Sequence, residues 1–207
     1  MKRIALLLII AIVGVEVSAQ QEVLYNQYRH NMVTINPAYA GTRDAMNITF
    51  LGRKQWTGFK GAPATQSLAL HTPLPKNISL GFSLINDKLG VTKQTMIYLD
   101  FAYKIRLTDK VKLSLGIKGG ANMMEAELTA LQDVEEDDPA FLADIKRSPL
   151  LNFGTGAYVY GKNWFAGIST PRLIENDTEN DISYQVRKEA RHYYITGGYI
   201  FNIGDFM

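Results

Sequence analysis

The sequence predicts an all-β chain, an antiparallel up-and-down β-barrel that spans a membrane with about eight strands. Three observations lead there. From Ile97 every odd position is large and apolar (Ile97, Leu99, Phe101, Tyr103, Ile105, Leu107), while Asp100, Ala102, Lys104 and Arg106 sit between them. The pattern restarts as Val111, Leu113, Leu115 and Ile117 against Lys112, Ser114, Gly116 and Lys118. A period of two held this long means strands with one greasy and one wet face, each long enough for the roughly 9–11 tilted residues a bilayer needs. The second observation is an export signal with no later stretch apolar enough for a spanning helix. Only helices and closed barrels satisfy their backbone in lipid, so a spanning chain of this kind must span as strands. The third is a regular alternation of connector length along the chain.

Residues 1–19 read as a signal peptide. Lys2 and Arg3 supply the positive start, Ile4 to Val13 the apolar run, and Val17-Ser18-Ala19 a small-residue cleavage site before Gln20. Residues 20–44 read as an irregular, periplasmic lead-in, in which Asn36-Pro37 and Gly41 are turn chemistry. The barrel is expected over 45–207.

Strand one is expected at Ala45–Arg53, with Met46, Ile48 and Phe50 on one face. A loop holding Trp56, Gly58, Gly61 and Pro63 leads to strand two, Thr65–Thr72, with Leu68 and Leu70 opposed to Ser67 and Ala69. Pro73 and Pro75 cannot donate to a ladder and mark a short turn. Strand three, Ile78–Ile85, alternates Ile78, Leu80, Phe82 and Leu84 with small residues, and Asn86 to Gly90 opens a loop. Strands four and five are the pair quoted above, joined by Thr108-Asp109-Lys110 as a tight hairpin. A long break covers 123–149. Strand six is Leu151–Tyr160, strand seven Trp164–Thr170 after a Gly161-Lys162-Asn163 turn, and strand eight Arg191–Phe201 after a polar loop at 171–190.

Every even connector is short (Pro73–Asn77, Thr108–Lys110, Gly161–Asn163). Every odd one is longer (Lys54–Ala64, Asp87–Gln94, Met123–Pro149, Pro171–Ala190). Outer-membrane barrels have short periplasmic turns and longer extracellular loops, whereas a soluble sandwich has no reason to sort loops by parity. Gly81, Gly116, Gly154, Gly156, Lys112 and Lys118 fall on the inner faces, as a polar lumen wants. Tyr98, Tyr103, Tyr158, Tyr160, Trp164 and Tyr193 lie near strand ends, where aromatic girdles belong. Leu99, Phe101 and Ile105 should face lipid, so arginine at Phe101 should be costly and arginine at Ala102 milder if the lumen is roomy.

Composition narrows the function. With no cysteine, lipoprotein anchoring, disulfides and thiolate metal sites are out. A formal charge of +2 makes no electrostatic case for nucleic acid as a partner. His30, His71 and His192 share no ligand spacing, so neither a metal nor a cofactor is expected. Ser67 and His71 share a strand face, but no Gly-x-Ser-x-Gly elbow accompanies them and no catalytic residue is assigned. The acidic run Glu135-Glu136-Asp137-Asp138 lacks EF-hand spacing and reads as solvated loop rather than a calcium site.

Several segments together resemble one family. Asn36-Pro37-Ala38-Tyr39-Ala40-Gly41-Thr42-Arg43-Asp44 is followed by Arg53-Lys54-Gln55-Trp56 and Gly61-Ala62-Pro63-Ala64-Thr65-Gln66. Gly81-Phe82-Ser83, Asn86-Asp87-Lys88-Leu89-Gly90, Thr92-Lys93-Gln94-Thr95 and Tyr98-Leu99-Asp100-Phe101-Ala102-Tyr103 come later. In this combination the chain is similar to the PorP/SprF outer-membrane proteins of the type IX secretion system. The resemblance implies a non-enzymatic barrel in the outer membrane, without cofactor, that helps secrete or retain surface proteins such as adhesins and serves gliding motility. Its implied partners are outer-membrane lipid and secreted proteins bearing a C-terminal sorting domain, or periplasmic lipoproteins of the secretion system. It also implies more strands than eight, so the chain reads as shortened at its C-terminal end. A general porin for small solutes is the alternative. Arg53, Lys54 and Trp56 are the candidate partner-binding residues. Their competing role is structural, an interfacial Trp with snorkelling cations at a strand end.

Overall fold

The computed structural model describes residues 28, 30–130, 144–146, 148–175 and 191–201. The expected signal peptide and the acidic run at 135–138 lie outside them. Among the described residues nine strands form: β1 (Asn47–Lys54), β2 (Ala64–Pro73), β3 (Ile78–Leu89), β4 (Thr92–Arg106), β5 (Lys112–Ala126), β6 (Ile145–Lys146), β7 (Leu150–Tyr160), β8 (Trp164–Thr170) and β9 (Tyr194–Tyr199). They make one curled antiparallel sheet in the order β1-β2-β3-β4-β5-β7-β8-β9, with the two-residue β6 on the end of β5. The eight expected strands are all present. Among the described residues β1 pairs only with β2 and β9 only with β8, so the sheet is an open half-barrel.

Register brings the apolar alternation of each strand into continuous rows. Phe50 pairs with Leu68, Leu68 with Leu84, and Leu84 with Ile97. Leu80 pairs with Phe101 and Phe101 with Ile117. Ala157 pairs with Ile168 and Ile168 with Ile195. These rows cover the convex face, where Phe50, Leu99, Ile117, Leu151 and Ile195 are all exposed. An apolar face this wide on the outside is the surface lipid covers. The opposite rows carry small and polar residues: His71, Gly81, Asp100, Lys118 and Gly154 in one, Ser79, Ala102, Gly116, Gly156 and Ser169 in the next. Most of these are buried.

Several expectations need correction. The loop expected from Asp87 to Gln94 is strand: Asn86 pairs with Thr95, Asp87 with Gln94, and Leu89 with Thr92, leaving Gly90-Val91 as a two-residue turn. Likewise β5 runs on to Ala126, four residues into the expected break. At 15 residues each, β4 and β5 outlast the lipid band. Above that band both faces are wet, so the period-two signal that marks a strand disappears. Polar pairs hold the protruding hairpin instead, with Asn86 donating to Thr95 Oγ1 at 3.1 Å and Thr65 to Asp87 at 2.5 Å. All four odd connectors leave from one end of the sheet, where Gly90 N–H meets Gly61 O at 2.9 Å, but they are not all long.

The girdle also shrinks. Tyr103, Trp164 and Tyr193 are exposed, but Tyr98 and Tyr158 point inward and are buried, and Tyr160 sits 6.0 Å from Lys112 Nζ on the inner side. Nor does 171–190 begin outside the sheet. Pro171 lies against Gly154, Arg172 reaches Met96 Sδ at 3.8 Å, and Asn152 Oδ1 accepts from the N–H groups of Leu173 and Ile174. The start of that connector folds over the concave face.

The lumen is not roomy at Ala102, which is fully buried beside Val33 and Ala40. Arginine at Phe101 therefore faces lipid and arginine at Ala102 faces a packed interior. Phe101→Arg is expected to cost about 2–4 kcal/mol near the bilayer midplane. Ala102→Arg is expected to lose a comparable share of heat-modifiable folded band on gels. A folded band close to wild type for Ala102→Arg would mean the interior is open after all.

Candidate functional site

What fills the interior is the chain's own segment 31–44. Its two short 3₁₀ turns follow from local chemistry. Thr34 Oγ1 donates to Asn31 O at 2.7 Å across the first, Met32–Thr34. The second, Pro37–Tyr39, has proline at its first position, where a missing N–H costs nothing, and Asn36 as its cap, accepting from Ala38 N–H at 3.0 Å. The other end of the Asn36 amide donates to Ala157 O on β7 at 3.2 Å. One side chain thus forms the turn and ties it to the wall.

The wall is cut to receive that turn. A Cβ on Gly116 would collide with Pro37 and Ala38, and one on Gly156 with the Asn36 side chain and Ser169. Inward glycines predicted from the sequence as features of a wet lumen are here places of close backbone approach. Tyr39 packs edge-on against His71 and Tyr158, with ring centroids 5.5 Å away in each case.

Polar side chains of the wall take up the backbone of the segment. Lys118 Nζ donates to Val33 O at 3.1 Å, Ser169 Oγ to Ile35 O at 2.8 Å, and Lys104 Nζ to Gly41 O at 2.9 Å. Gly41 N–H donates to His71 Nδ1 at 3.1 Å. Lys118 also pairs with Asp100 at 2.8 Å, and neither side chain reaches solvent. The Tyr98 ring lies 5.1 Å from its ammonium. Taking such charges out of water costs several kcal/mol each and is offset only when pair and hydrogen bonds are all in place. At the short-turn end Asp44 meets Lys104 at 3.6 Å and Lys112 at 3.4 Å.

The residues singled out from the sequence fall elsewhere. Arg53 lies on the concave row of β1 and is half-buried, while Lys54 points to the convex side and is exposed. Trp56 is 71% exposed in the connector 55–63, at a positive φ of 47° that bulky residues rarely adopt. Phe59 beside it is 78% exposed. The three residues therefore do not converge on one surface: Lys54 and Trp56 are open to solvent and Arg53 faces inward. Ser67 and His71 do share a face, but Ser67 accepts from Asn31 at 3.5 Å and His71 Nδ1 is taken by Gly41. His30 is exposed, and His192 lies two residues before β9, half-buried. Among the described residues no group of three or more His, Asp or Glu converges to hold a metal.

Sequence reasoning missed the lumenal segment. Its signal was there: a capped Asn-Pro turn followed by Ala38, Ala40 and Gly41, and small inward residues stacked on neighbouring strands. Lys118→Met is expected to destabilise the folded protein by about 3–5 kcal/mol, because it leaves Asp100 buried without its cation. The double change Lys118→Met, Asp100→Leu should recover most of that loss. Urea midpoints of the detergent-folded protein check both.

The family described as type IX secretion system membrane protein PorP/SprF matches residues 17–207, nearly the whole chain. Neither a curated protein nor a solved structure matches.

Proposed function

Because the chain belongs to the PorP/SprF family of type IX secretion system membrane proteins, and so is a component of that system, we propose that it is a non-enzymatic outer-membrane barrel. In this reading it helps secrete surface proteins, adhesins of the gliding apparatus among them, or holds them at the cell surface. The observation that carries the reading is the state of the two faces. The convex face is an apolar belt for lipid, and the concave face is occupied by 31–44 and by the start of the 171–190 connector. What remains for a protein partner is the rim.

The rim at the long-connector end carries Trp56 and Phe59, both exposed on a glycine-containing loop. Exposed aromatics on a loop are the usual anchors of protein interfaces. The partner assigned to this rim is a secreted protein with a C-terminal sorting domain. Periplasmic lipoproteins of the system would meet the opposite rim, with its short turns. A general porin, the alternative reading, needs an open interior. The concave face of the described half-barrel is occupied, so the secretion reading predicts no solute-size-dependent conductance in planar bilayers.

Trp56→Ala is expected to release client from intact cells while the barrel stays assembled. A buried Trp anchor at a hot spot contributes at least about 2 kcal/mol, roughly thirtyfold in affinity. The measurement is surface client per folded barrel in the mutant. An unchanged ratio would assign Trp56 to the interface with lipid headgroups instead.

A further inference from the structure

The lead-in runs along the sheet from near one end to the other. Its contacts on the wall descend in order. Asn31 reaches Ser67, whose lateral neighbours are Ile85 on β3 and Met96 on β4. Val33 sits at Lys118, Ala38 at Gly116, and Asp44 at Lys104 and Lys112, beside the short turns. Met96 and Lys104 are eight residues apart on β4. At about 3.3 Å per residue the two ends of the segment are separated by roughly 27 Å along the strand, or about 20 Å of height at the usual tilt. That is comparable with the roughly 25 Å apolar band of an outer-membrane barrel.

Residue 44 is thus at the short-turn end, where β1 starts upward, and residue 31 is near the other end. We propose that the chain is threaded through its own half-barrel, so that Tyr28 and His30, both exposed just before Asn31, open at the cell surface, at the same end of the sheet as the 55–63 connector. This rests on the outer-membrane reading above and on the long-connector end facing outward. It changes the expected periplasmic lead-in into a lumenal one with an external start.

Threading has a consequence for assembly. Cleavage after Ala19 would leave Gln20 in the periplasm. Tyr28 and His30 must then be carried across as the sheet curls around the segment, since afterwards the glycine contacts and the buried Lys118–Asp100 pair close the path.

The chain has no cysteine, so single introduced thiols report which side each position faces. Tyr28, Lys60 and Lys110 are all exposed, at the start of the segment, in the 55–63 connector and in the 107–111 turn. Tyr28→Cys, Lys60→Cys and Lys110→Cys are made in the full-length protein and treated with a membrane-impermeant maleimide on intact and on permeabilised cells. His30→Cys serves should Tyr28→Cys fail to assemble. Tyr28→Cys and Lys60→Cys are expected to react equally in intact cells, and Lys110→Cys at least tenfold less until the outer membrane is opened. If Tyr28→Cys instead follows Lys110→Cys, the segment does not cross and the proposal falls. If Tyr28→Cys and Lys60→Cys are both silent until permeabilisation, the surface placement falls. Loss of client retention in Trp56→Ala has no bearing on this labelling, so the two readings fail separately.

Discussion

Lys118 is the contact point on which the inside of this protein depends. Its ammonium is shut away from water, paired with Asp100, faced by the Tyr98 ring and bonded to the carbonyl of Val33. Remove any one of these and a charge stays buried with less to compensate it. The sheet holds two of the partners and the lead-in the third. Wall and filling are therefore one cooperative unit, and the lead-in is part of the core rather than an appendage to it.

The same constraint explains the composition of the concave face. Backbone N–H and C=O groups of an irregular segment must find partners wherever water is excluded. In a helix or strand the chain supplies them itself. Here Lys104, Lys118, Ser169, His71 and, for the Ala38 N–H, the Asn36 amide oxygen do so one at a time. Gly116 and Gly156 let the segment come close enough for those bonds to form. A wall of larger residues would leave the carbonyls of Val33, Ile35 and Gly41 unpaired at a cost of about 1–3 kcal/mol each.

With lipid claiming the convex face and the chain itself the concave one, the ends are left for partners. The two ends differ. One has turns of a few residues closed by their own hydrogen bonds, as at 107–111, where Thr108 Oγ1 accepts from Lys110 and Val111. The other has protruding β3, β4 and β5, the exposed aromatic pair of the 55–63 connector, and a break after β5 held by Thr129 donating to Asp144 at 2.8 and 3.1 Å. Those bonds from Thr129 keep the Asp144 carboxyl below its ordinary range.

By itself the sequence determined the strands within lipid and the facing of each. Lipid on one side and a packed interior on the other impose a period of two, and Leu99, Phe101, Gly116 and Lys118 all lie on the sides their parity assigns. The family was legible from local segments because turn and strand-end motifs are contiguous in the chain. Tertiary structure alone decided three things. It paired Asn86 to Leu89 with Thr92 to Thr95, where water on both faces leaves no periodicity to read. It buried Tyr98 and Tyr158, whose inward parity the strands already carry, against Lys118 and Tyr39. It laid 31–44 inside the sheet. The bonds from Lys118 to Val33 and from Ser169 to Ile35 join residues 85 and 134 positions apart, and contacts of that span leave no mark on the local pattern of either partner.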